Sequence, residues 1–79
     1  MTTVRYFAAA ADAAGTMSET VGAATLGELL DRVREDHGRE LATVLDRCSL
    51  LLDGVRVSDP ATPLADGSTL DVLPPFAGG

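Results

Sequence analysis

The chain contains no lysine and no tryptophan, a single cysteine, a single histidine, and three aromatic residues (Tyr6, Phe7 and Phe76) in 79 positions. Each absence narrows the field. Without lysine, all six basic residues are arginines, and the chain offers no side-chain amine for building isopeptide-linked chains on itself. Cys48 has no partner for an internal disulfide, which favours a reducing compartment and leads to the expectation of a cytoplasmic protein. No run of about 18 apolar residues is present to span a bilayer, and no basic segment leads into an apolar one at the N-terminus. Clustered basic residues are missing too, so nucleic acid is not an expected partner; the formal charge of −6 favours proteins with basic surfaces instead. A single histidine, with no nucleophile motif beside it, leaves no catalytic cluster and no metal-ligand spacing. His37 falls in the last turn of a helix-patterned segment, where a cation is favoured electrostatically.

What is present is enough for one small core. Hydrophobic residues make up 46% of the chain, so it is a globular domain and not a disordered one. Thr2 to Ala8 alternates in strand fashion, with Val4 and Tyr6 expected inward and Arg5 and Phe7 outward. An alanine-rich segment, Ala8 to Ala14, reads as a short helix closed by Gly15. Thr16 to Val21 is a weak strand. Thr25 and Glu28 have the spacing of a capping box that would satisfy two free amides, and Leu26, Leu29, Leu30 and Val33 follow as one apolar stripe. Burying that stripe contributes on the order of 6–12 kcal/mol before entropy is subtracted. Gly38 is a stop, and Leu41, Val44 and Leu45 suggest a second helical piece.

Cys48 to Leu52 is the most apolar run and reads as a buried strand, with Cys48 an inert thiol at its start. Asp53-Gly54 signals a tight hairpin into Val55-Arg56-Val57; Asp59-Pro60 and Asp66-Gly67 mark further turns. Thr69 to Leu73 alternates, placing Leu70 and Val72 inward and Asp71 and Leu73 outward. The order of elements predicts an α+β fold in which a mixed sheet of four to five strands carries one main helix on one face.

Beyond Leu73 the sequence reads Pro74-Pro75-Phe76-Ala77-Gly78-Gly79. Two prolines favour an extended course, and two glycines leave a backbone slim enough for a channel that admits no side chain. At a glycine usage of roughly 7%, a Gly-Gly ending arises by chance in about 1 chain in 200. The division expected is a domain over residues 1–73 and an extended, flexible tail over 74–79.

Taken with the Val-Arg-Tyr-Phe-Ala strand, the Thr-Leu-Gly-Glu-Leu-Leu helix start and the two Asp-Gly turns, this ending resembles the ubiquitin-like β-grasp sulfur carriers, most closely the molybdopterin synthase small subunits. The resemblance spans the whole chain. It implies a non-catalytic carrier subunit with no bound cofactor, whose Gly79 carboxylate is adenylylated by an E1-like, ATP-dependent adenylyltransferase and converted to a thiocarboxylate. It further implies that Gly78, Ala77, Phe76, Pro75 and Pro74 thread the active site of the large synthase subunit, where sulfur passes to a pterin precursor of the molybdenum cofactor. On β-grasp strand order, Phe7 and Leu73 are neighbours and are expected to form an apolar docking patch with Phe76. Carriers for thiazole or cysteine synthesis, ubiquitin-like protein modifiers, and a plain interaction domain share these features and stay open as alternatives.

Overall fold

A computed structural model describes residues 1–75. Its elements run β1 (Thr2–Tyr6), α1 (Ala9–Ala14), β2 (Ser18–Val21), α2 (Leu26–His37), α3 (Arg39–Leu45), β3 (Ser49–Leu52), β4 (Val55–Val57) and β5 (Thr69–Leu73). The strands form one sheet in the order β2-β1-β5-β3-β4. β1 and β5 run parallel at its centre, and the remaining neighbours are antiparallel. This is the expected α+β arrangement, a ubiquitin-like β-grasp, with short α1 and α3 added beside the main helix.

Strand parity decides what is buried. Val4, Tyr6, Leu70 and Val72 project to the helix side and are at most 2% exposed. There they meet Leu26, Leu29 and Val33 of α2 and Leu41 and Leu45 of α3, all within one core cluster. A strand of period 2 and a helix of period 3.6 thus present matching apolar surfaces, as the spacing of these residues predicts.

Two expectations need correction or extension. Cys48 to Leu52 is not a buried strand: every residue of β3 is half-buried. Its parity splits the apolar run, so Leu50 and Leu52 pack against the core while Leu51 pairs with Asp71 and Arg56 on the open side. The capping box is half formed. Thr25 Oγ1 accepts the Glu28 amide at 3.3 Å, but the Glu28 carboxylate turns outward to Arg32, also at 3.3 Å. The first helical amides are satisfied from elsewhere: Leu26 N–H donates to Thr62 O and Gly27 N–H to Pro60 O, each at 2.9 Å. The loop after β4 therefore caps α2, and it approaches so closely that a Cβ on Gly27 would lie 3.0 Å from the Pro60 Cβ. The Asp53-Gly54 turn forms as expected, with φ of 48° and 84°, the left-handed pair that a two-residue hairpin requires.

Candidate functional site

The candidate site is the end of β5 and the surfaces beside it. Leu73 is the last strand residue; Pro74 follows half-buried and Pro75 exposed. Phe76, Ala77, Gly78 and Gly79, together with the flexible character expected of the tail, lie outside the described residues.

Sheet register organises the face turned away from the helices into rows. Thr20, Thr3 and Thr69 align farthest from the tail. Ser18, Arg5, Asp71, Leu51 and Arg56 form the next row, one residue per strand. Nearest the tail, Leu73 is opposite Ser49, and the Phe7 amide donates to Val72 O at 3.2 Å. Phe7 and Leu73 therefore lie side by side at the edge from which Pro74 departs. Phe7 is 40% exposed and Leu73 half-buried.

Polar chemistry on this face is concentrated at Arg5. Its Nε donates to Asp71 Oδ1 at 2.5 Å and its Nη2 to Asp71 Oδ2 at 2.8 Å, a two-pronged pair across the central parallel strands. The hydrogen bonds to Asp71 hold the Arg5 pKa above its ordinary value. The guanidinium also lies 5.8 Å from the Phe7 ring centroid, within cation–π range. A shallow groove beside this pair is lined by Arg5, Asp53, Gly54, Thr69 and Asp71. Its charged groups are engaged with their own neighbours: Asp53 Oδ1 accepts the Thr69 amide at 2.9 Å.

On the helix side, a cluster forms that spacing did not reveal. Glu19 Oε2 accepts the Tyr6 hydroxyl at 2.6 Å and lies 2.5 Å from His37 Nε2. The Tyr6 and His37 rings meet edge-on, with centroids 5.9 Å apart. His37 does occupy the last turn of α2, but its contact is a carboxylate from β2 as well as the helix end. Burial first, and then the Glu19 hydrogen bond, push the Tyr6 hydroxyl well above the ordinary tyrosine range. Cys48 Sγ is 3.2 Å from Val44 O, and burial raises its pKa. A raised pKa keeps the thiol protonated and unreactive. Among the described residues, no three His, Cys, Asp or Glu side chains converge to hold a metal ion, and no helix is long and apolar enough to cross a membrane.

The ThiS family model matches residues 4–79, nearly the whole chain. The chain belongs to the ThiS family. Solved structures place it among sulfur-carrier relatives of the β-grasp class. Subunit 1 in the complex of subunits 1 and 2 of the molybdopterin-converting factor from Helicobacter pylori 26695 is 28% identical, with a TM-score of 0.77 over 99% of this chain and 97% of that one. Small archaeal modifier protein 1 of H. volcanii is 26% identical, with a TM-score of 0.75 over 95% and 97%. A chain of the Amycolatopsis orientalis BexX/CysO complex, at 23% identity and a TM-score of 0.81 over the full length of both, shares the fold. No curated protein matches. The ThiS-family member is thus a sulfur-carrier-type β-grasp domain whose relatives include chains solved in complex with partner proteins.

Proposed function

We propose that this ThiS-family protein carries sulfur on the Gly79 carboxylate and delivers it, as the small subunit of a molybdopterin synthase, to a pterin precursor of the molybdenum cofactor. The observation that carries the reading is the family match, which runs through Gly79 and includes the whole Pro-Pro-Phe-Ala-Gly-Gly segment. The Pro-Pro-x-Ala-Gly-Gly ending favours the molybdopterin pathway, and the 28% identity to subunit 1 of a molybdopterin-converting factor is in keeping with it, as the 27% identity to an archaeal modifier protein is with the second reading below.

The chemistry explains the residue types. A terminal carboxylate, with a pKa near 3.5, is ionised at neutral pH and is a poor electrophile. Attack of its oxygen on the α-phosphate of ATP, with loss of pyrophosphate, gives an acyl-adenylate. A sulfide-level donor then displaces AMP, which carries away one of the original carboxylate oxygens and leaves a thiocarboxylate. Each step is performed by a partner: the E1-like adenylyltransferase activates, and the large synthase subunit receives. The carrier supplies a terminus that reaches both, with Gly78 and Ala77 narrow enough to enter and Pro74 and Pro75 as a stiff stem. Phe7 and Leu73, beside that stem, are the proposed docking patch. Cys48, protonated and bonded inward, is not required.

The intact mass of the protein isolated from its own cells tests the carrier reading. A gain equal to sulfur minus oxygen, located on Gly79, is expected; an unmodified mass in cells making the cofactor overturns it. Gly79→Ala is expected to fold as the wild type and to lose transfer, because a methyl group at the reacting residue obstructs the channel. Reconstitution with a large synthase subunit then assigns the pathway: transfer of sulfur to the pterin precursor is expected, and a thiocarboxylate that the large subunit does not consume points to another acceptor. The match to an archaeal modifier protein supports a second reading, conjugation through Gly79 to lysines of target proteins, which the same mass measurement would reveal as amide-linked adducts.

A further inference from the structure

The tail stem has a second neighbour, on the helix side of the sheet. Pro74 and Pro75 leave β5 beside Ala9 of α1 and beside Val44 and Arg47 at the end of α3, and these five residues line a groove of about 220 Å³. That volume is below the roughly 300–1,000 Å³ typical of small-molecule pockets and suits one large apolar side chain. Ala9, Val44 and the prolines make the lining apolar; its one charged group is the guanidinium of Arg47, which is exposed.

Carboxylates outnumber arginines 12 to 6. Arg5, Arg32 and Arg34 each lie within ion-pair distance of a carboxylate of the chain itself. Asp46, immediately before Arg47, is 3.7 Å from Arg34 instead. Among the described residues no ion pair involves Arg39, Arg47 or Arg56, and of these three only Arg47 lines the groove. Arg47 thus places a cation that has no ion pair among the described residues next to an apolar groove, at the root of the segment that must be handled by a partner.

We propose that this groove is a second docking point for the adenylating enzyme that activates Gly79, receiving one aliphatic or aromatic side chain between Ala9, Val44 and the prolines and one carboxylate on Arg47. The proposal rests on the carrier reading above. The adenylating enzyme is the occupant because a carboxylate must be activated before sulfur can enter, whichever acceptor follows. Four residues separate Pro75 from the terminus, at most about 13 Å of extended chain, so a protein closed around the carboxylate is within reach of the groove. An apolar anchor in a pocket with a charge at its rim concentrates affinity in a small contact. The rim charge acts mainly through encounter rate and salt dependence.

The test titrates full-length wild type, Arg47→Glu, Arg47→Lys and Ala9→Leu against the adenylating enzyme of the same organism. Binding is followed by calorimetry and sulfur loading by intact mass. Arg47 and Ala9 are both exposed, and leucine is a good helix former at Ala9, so all variants are expected to melt as the wild type. Arg47→Glu should weaken binding about tenfold or more, Arg47→Lys should recover most of that loss, and Ala9→Leu, which fills the groove, should weaken binding about fivefold. Raising salt should weaken the wild type more than Arg47→Glu. If the wild type loads sulfur and both Arg47→Glu and Ala9→Leu bind as it does, the groove is overturned and the carrier reading stands. If the wild type neither binds nor loads, the carrier reading fails and takes this partner assignment with it.

Discussion

Val4, Tyr6, Leu70 and Val72 are closed to solvent against the helices, whereas Arg5, Phe7, Asp71 and Leu73, each one residue further along the chain, face away from them. The sheet is therefore a partition. Its inner side holds the fold together, and its outer side contributes a charge pair and an apolar edge that the fold does not need. The tail leaves from the boundary between the two, with Leu73 turned outward and Pro74 lining the helix-side groove. A carrier benefits from that division, because the surface a partner touches can vary without loosening the core.

The largest expected effect comes from emptying the inner side. Leu70→Ala removes a fully buried side chain from the central strand and should cost about 2–5 kcal/mol, measured by chemical denaturation. Leu51→Ala, on the adjacent strand but facing outward, should cost less than about 1 kcal/mol, since its side chain is only half-buried and leaves no enclosed cavity. Equal costs would mean that the outer face is as much core as the inner one, and the partition would fail.

Much of this arrangement is legible in the sequence because it rests on local periodicity. Val4 and Tyr6, or Leu70 and Val72, announce a face by alternation, and Leu26, Leu29 and Val33 do so by helical spacing. Phe7 and Leu73 meet because the central strands are parallel, which follows from the resemblance and not from either strand alone. The rest depends on tertiary register. Glu19 is one carboxylate in a weak strand, and its partners Tyr6 and His37 lie 13 and 18 residues away. Capping of α2 by Pro60 and Thr62 depends on where a loop returns. The half-formed capping box shows two local options, Thr25 and Arg32, competing for one glutamate. The apolar run into β3 gave no hint that one face of the sheet would be left open.

The Tyr6 cluster is the polar element of the inner side. A hydrogen bond to a charged acceptor contributes about 1.5–3 kcal/mol; because His37 remains on Glu19, Tyr6→Phe should cost near the lower end, about 1.5 kcal/mol. The pH dependence sharpens this. Tyr6 has a folded pKa above its unfolded value near 10, so its contribution is complete below about pH 10 and is lost as pH rises further, when the unfolded chain releases the proton more readily than the folded one. Cys48, also raised, contributes a loss of the same sign that begins near pH 8.5, so the comparison belongs in a Cys48→Ala background. There, stability should decline above pH 10 in the protein that retains Tyr6 and stay flatter with Tyr6→Phe. Parallel curves would show that the buried hydroxyl is not coupled to folding.

Arg5–Asp71 is the matching polar element of the open side, and it should matter least to stability. Its geometry is the better of the two, with both carboxylate oxygens engaged, yet the Arg5 side chain is 52% exposed and Asp71 15%. Water competes for the guanidinium and salt screens the pair, so its contribution to stability is small. Asp71→Asn keeps the shape and removes the charge; it should cost less than about 1 kcal/mol at low salt and less still at high salt. A double-mutant cycle with Arg5→Gln isolates the coupling from other effects of each change. A large coupling that ignores salt would place this pair among the groups that hold the fold. A small, salt-sensitive coupling would leave it the task its position suggests: holding Arg5 over Phe7, so that the apolar edge beside the tail keeps one shape.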